Sequence, residues 1–267
     1  MNTEVNMNES QALKDVENSL RDFISLILWN KHKENWIQNC GITQKRIEQW
    51  EAKKVEDAKK LQSGITEERL IYYSDFYDLV TIIEKNWETD FKIVFADLAT
   101  FRVFFKQLEN FRNPDAHRRE LLTHQKHLII GIAGEIRNRM VAYRSKMETD
   151  DDIFPRIESI RDNYGNIWIP SKESYVKTET LLHPDDVLEF IITATDPLGG
   201  KLFYGLGDIY ANWQESNIIA ITIGEVHIGR QKGFNVSIKS ERNYHAKPGY
   251  DDDVLFTYPI RPKIIIK

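Results

Sequence analysis

METDDDIFPR, residues 147–156, is where the sequence changes character, and its reading decides the fold. It is an acidic run closed by Pro155, a residue that cannot continue a helix. Upstream of it apolar residues recur at three- and four-residue spacing. Downstream they alternate with polar ones. The change predicts an α + β multidomain chain: an all-α domain over 1–148, a linker over 149–156 and an all-β domain over 157–267.

Working back from the junction, helices fill the first half. ALKDVENSLRDFISLILW (12–29) sets Leu13, Val16, Leu20, Phe23, Ile24 and Ile27 on one face, with Asn8 or Ser10 as its cap. A second helix is predicted over about 43–61, with Ile47, Trp50 and Val55. Gly64 breaks it, and TEER (66–69) opens a third that carries Leu70, Tyr73, Phe76, Tyr77, Val80 and Ile83. A fourth covers FKIVFADLATFRVFFKQLENF (91–111), and a fifth begins just beyond Arg112 and runs to about Met147. An up-and-down antiparallel bundle is the economical arrangement. Forward from the junction, NIWIP, YVKTETLL, VLEFIITAT, IIAITIGEVHIG, FNVSIKS and VLFTYPI alternate between turn residues, as in an antiparallel sandwich. The glycines of PLGGKLFYG (197–205) read as a turn, and Trp168, Trp213 and Tyr250 as core or recognition aromatics.

Of the 267 residues, 41% are hydrophobic and 29% charged, enough for two cores and a hydrated surface. The longest apolar patches, FISLILW and HLIIGIAG, are too short to span a bilayer, so no membrane partner is expected. No basic and apolar leader opens the chain, and Cys40 is its one cysteine, which points to a cytoplasmic protein without disulfides. The net charge of −5 speaks against a generic nucleic-acid coat. Charge is uneven, however: residues 101–146 hold ten Arg and Lys against four Asp and Glu.

That basic segment surrounds LENFRNPDAHRRELL, residues 108–122. Pro114 suits a first helical position, which makes Asn113 the N-cap, Asp115 a residue for the positive helix end, and Arg112 and His117 neighbours across the first turn. Free N–H groups, a guanidinium and an imidazole together suit a phosphate and a proton transfer. The plainer alternative is a capped helix in which Arg112 pairs with Asp115 or Glu109 and His117 is a surface residue. His124 and His127 lie further along the same helical face, but two turns separate His117 from His124, too far for one metal ion. Asp251–Asp253 lack calcium-loop spacing. Neither a metal nor a cofactor is expected, and nucleotide-loop and zinc-protease motifs are absent from the sequence.

FRNPDAHRREL resembles the signature of the HEPN domain family, an Arg followed by a polar residue and a His a few positions on. VENSLRDFI, YSDFYDLVTIIEKNW and FADLATFRVFFKQLENFRNPDAH resemble the branch typified by a eukaryotic nuclear-quality-control RNA endonuclease, over roughly residues 12–145. The resemblance implies a helical bundle that forms a homodimer with two Arg/His motifs facing across a basic cleft. It implies metal-independent RNA cleavage, in a setting such as a toxin or phage-defence effector. His117 would then serve as base on the ribose 2′-OH or acid on the leaving oxygen. Arg112 would stabilise the phosphate charge, Asn113 orient the motif, and Arg118 and Arg119 hold the flanking RNA backbone. Glu17 and Asp78 are candidate supporting residues; Glu17 and Arg21 also share a helix face and suit a simple pair. Arg119 stands where the commonest pattern has an aromatic. Other members of the family only bind nucleotides or partners, and the alternative function here is a non-catalytic dimerisation and nucleotide-binding scaffold with a β-sandwich for protein interaction. DDVLEFIITATDPLGGKLFYGLG and PGYDDDVLFTYPIRP resemble immunoglobulin-like modules of the PKD and cadherin type, which implies a protein partner for the second domain.

Overall fold

Helix formation begins where the amphipathic pattern does. The computed structural model describes residues 9–60, 67–112, 121–148, 152–170, 173–207 and 211–263. Six helices precede eight strands among these residues. The chain divides into two units, Met1–Met140 and Val141–Lys267, and the division falls inside the last helix.

In the first unit α1 (Glu9–His32) buries Ala12, Val16, Leu20, Phe23, Ile24 and Leu28 at helical spacing. α2 (Gln44–Lys60) contributes Ile47 and Trp50. The third predicted helix is in fact two pieces, a 3₁₀ turn Leu70–Tyr73 and α3 (Phe76–Lys85). Ser74 and Asp75 between them are extended, and the Asp75 N–H donates to Asp78 Oδ2 at 2.9 Å, so a local cap starts a new helix there. The fourth is broken as well, into α4 (Lys92–Phe95), preceded by a π turn over Trp87–Phe91, and α5 (Leu98–Arg112). Ala96 breaks it with a φ of 64°, and Asp97 Oδ2 accepts the Thr100 N–H at 2.6 Å to cap α5. Alanine is a strong helix former, so composition hides this break; the cap overrides it. Phe76, Phe105, Phe101, Phe95 and Trp87 form a continuous aromatic core, with Phe101 and Phe105 centroids 4.2 Å apart.

α6 (Thr123–Glu148) buries Ile129, Ile132, Ala133, Ile136 and Met140. Leu121 and Leu122 are not helical, which corrects the expectation of one helix running from Pro114 to Met147. Among the described residues no helix is long and apolar enough to cross a membrane.

The second unit starts with the last turns of α6 and continues into two four-stranded sheets. One has the order β2-β1-β4-β6, formed by Ile167–Trp168, Arg156–Asp162, Val187–Thr195 and Ile218–Thr222. The other has the order β3-β8-β7-β5, formed by Tyr175–Lys177, Asp252–Ile260, Gly229–Ser240 and Leu202–Leu206. Pairing is antiparallel except for β3 on β8. Ile160, Leu188, Phe190 and Ile192 from the first sheet share a buried core with Val236, Ile238, Val254 and Phe256 from the second. Phe190 and Phe256 lie 5.2 Å apart, ring to ring. β1 is not among the alternating stretches of the sequence because a bulge between Ile157 and Ser159 breaks its period. Asp162 joins the two sheets: its Oδ2 accepts from Tyr258 Oη and Asn166 Nδ2, both at 2.6 Å.

Candidate functional site

Arg112 is the last residue of α5, where the helix dipole favours a cation. Its Nη2 donates to Glu17 Oε1 at 2.8 Å, and its guanidinium carbon sits 5.7 Å from the Phe76 ring centroid. The pair is asymmetric: the Arg112 side chain is 40% exposed and that of Glu17 only 10%. Glu109 accepts from Lys106 instead, at 2.8 Å, and the alternative pairing with Asp115 lies outside the described residues. A carboxylate sunk in α1 thus tethers the arginine that opens the motif.

Glu17 is shared. Arg21, one turn further along α1, also donates to Glu17 Oε1, as their four-residue spacing predicted. The Arg21 Nη2 that makes this bond also donates to the Ser74 carbonyl, and Nη1 donates to Asn18 Oδ1, each at 3.1 Å. Its guanidinium lies 5.3 Å from the Tyr72 ring, which Arg69 covers at 3.9 Å. Asp22 then takes Arg69 Nη1 at 2.9 Å and Tyr72 Oη at 2.7 Å. Burial pushes the Asp22 carboxyl up to about 7, against the opposing pull of Arg69 and the Tyr72 hydroxyl. Burial beside Asp22 raises the Tyr72 phenol in turn. Arg69 is also held by Glu67, through Nε and Nη2 at 2.7 Å each. Three arginines therefore face three acids, and the balance turns positive whenever Asp22 carries its proton.

This cluster lay mostly beyond the reach of the sequence. The four-residue spacing of Glu17 and Arg21 was visible, but Asp22, Arg69 and Tyr72 enter only because the 3₁₀ turn folds back onto α1. The one available signal was charge in the middle of an apolar helix face, at Glu17 and Arg21 among Val16, Leu20 and Ile24.

Asp78 belongs elsewhere. It accepts from Arg46 Nε and Nη2 at 2.9 and 2.7 Å, from Trp50 Nε1 at 2.9 Å, and from the Asp75 backbone. It joins α2 to the start of α3, a structural task. Asn113, His117, Arg118 and Arg119 lie outside the described residues, as does the predicted cap at Asn113. Among the described residues no group of three or more His, Cys, Asp or Glu side chains is arranged to hold a metal. Asp251 is occupied by Ser240 N–H at 2.7 Å and His245 Nδ1 at 3.2 Å, Asp252 by Ile157 N–H at 2.9 Å, and Asp253 by Lys247. No family model, no curated protein and no solved structure matches this chain.

Proposed function

We propose that the protein is a metal-independent endoribonuclease of the HEPN type, acting as a homodimer through its helical unit. The observation that carries this reading is the Glu17–Arg112 pair. It fixes the motif's arginine in one orientation, half exposed, at the last residue of α5. A guanidinium placed in advance stabilises charge on a phosphate at little reorganisation cost. When Asp22 carries its proton, the clustered Arg21 and Arg69 leave a net positive potential around it.

In this reading His117 removes the proton from a ribose 2′-OH, whose oxygen attacks the adjacent phosphorus. The P–O5′ bond breaks, the O5′ leaving group takes up a proton, and Arg112 offsets the charge on the phosphoryl oxygens. The products are a 2′,3′-cyclic phosphate and a 5′-hydroxyl. Asn113 orients the motif, and Arg118 and Arg119 hold the flanking strand. DNA lacks the attacking hydroxyl and is spared. The two sheets form an immunoglobulin-like module that docks a protein partner.

A second reading has a specific observation behind it. Glu17 offsets the charge of Arg112, which would suit a HEPN bundle used only as a dimerisation scaffold. RNA and DNA strands of one sequence, incubated side by side with the purified protein, separate the two. The nuclease reading expects RNA cut and DNA intact. Equal survival of both, with the protein folded and dimeric by light scattering, would leave the scaffold.

A further inference from the structure

The second unit carries a hollow of about 560 Å³ at the open edge of its β3-β8-β7-β5 sheet, lined by Phe203, Trp213, Lys239, Ser240, Arg242 and His245 among others. Its floor is built for an aromatic plate. Residue Gln214 pairs with Tyr204 on the free side of β5, with N–H to O distances of 2.8 and 2.9 Å. That pairing lays Trp213 across Gly205, where a Cβ would fall 3.2 Å from Trp213 Cε3 and 2.8 Å from Ala211 Cβ. Only glycine lets the indole settle there. Phe203 and Lys239 are register partners on adjacent strands and so share the outer face. The Lys239 ammonium stands 4.7 Å from the Trp213 ring centroid.

One polar atom beside the plate is left without a partner. Arg242 Nε is buried and makes no hydrogen bond. Such an atom is rare and calls for a ligand, ion or water. Arg242 is held in place by Asp196, Nη1 to Oδ2 and Nη2 to Oδ1 at 3.1 Å each. Asp196 offsets its charge, and the acidic Glu241 also lines the hollow, so the hollow is not a polyanion track. It suits one anionic group joined to one flat ring.

We propose that this hollow binds a nucleoside phosphate, with the base on Trp213 and Phe203 and the phosphate at Lys239 and the Arg242 Nε–H. A volume of about 560 Å³ accommodates a single nucleotide. Two sources share this chemistry, a free nucleotide and the terminal nucleotide of an RNA strand. The site belongs to the second unit, and its test does not depend on cleavage.

Calorimetric titration of the full-length His117→Ala protein, which leaves RNA intact in the proposed mechanism, with AMP, adenosine, inorganic phosphate and a 12-residue oligoadenylate tests it. AMP or the oligonucleotide should bind more tightly than adenosine or phosphate. Trp213→Ala should weaken that binding by roughly tenfold or more, as loss of one base stack does, while Trp213→Phe retains most of it. Lys239→Gln should reduce AMP to the level of adenosine. Binding of AMP that competes with the oligonucleotide identifies a free-nucleotide site, and binding of the oligonucleotide alone identifies a strand end. The proposal fails if neither ligand binds better than adenosine. It fails equally if a Trp213→Ala protein with an unchanged circular dichroism spectrum binds as the parent does.

Discussion

The two units bury charge in opposite ways. In the sheets Asp162 accepts from two side chains and two backbone N–H groups, and Asp252 takes the Ile157 N–H, so both acids tie strands and turns to one another. In the helices Glu17 lies one turn before the adjacent Arg21 and Asp22 on α1, and the three reach sideways to Arg112, Tyr72 and Arg69. The first pattern holds loops and strands together. The second holds a guanidinium at the edge of the motif segment. Buried ion pairs contribute little net stability once desolvation is counted, so a cluster of this kind is better explained by positioning than by folding.

The contrast can be broken at its strongest point first. His117→Ala should lower RNA cleavage by roughly 100-fold or more, read by single-turnover assay, with the melting temperature unchanged. Asp162→Ala should behave in reverse. Stripped of its partners, Tyr258 Oη is left buried and the unit should lose about 3 kcal/mol in urea unfolding, while cleavage per folded molecule stays at the parent level. Loss of cleavage in Asp162→Ala would erase the division of labour. Glu17→Gln keeps the shape but releases Arg112, and should slow cleavage roughly tenfold through kcat rather than KM, since the tether acts on transition-state charge.

Asp22 gives the smallest effect and the sharpest sign. Its carboxyl is raised from 3.8 to about 7 in the folded chain, so the folded state binds the extra proton between those values. Stability from this group is full below pH 3.8 and is lost as pH rises through about 7. Asp22→Asn should flatten that fall. Thermal melts of both proteins at steps from pH 5 to 8 would show it, and parallel curves would contradict the burial argument.

Much of the fold was legible in the sequence where period alone decides. The apolar stripe of α1 and the alternation in VLEFIITAT and VLFTYPI match the observed elements, and the change at METDDDIFPR separates helices from strands. The failures share one cause, a local hydrogen bond that overrides period. Asp75 and Asp97 each start a helix inside a continuous apolar pattern, and the bulge after Ile157 hides β1. Of the candidate site, Glu17 was visible beside Arg21 by spacing, but its bond to Arg112 spans 95 residues and no local pattern encodes it. Asp78 stood out by its apolar neighbours, with a structural role as the alternative to orienting a base, and in the structure it accepts from Trp50 and Arg46 in a buried cap.

The most direct test of the central claim is the end chemistry of one defined RNA after incubation in EDTA with the parent protein, Arg112→Ala and His117→Ala. The account predicts 2′,3′-cyclic phosphate and 5′-hydroxyl ends from the parent and intact RNA from both variants. Cleavage that persists in either variant, or intact RNA with a folded, dimeric parent, would contradict it.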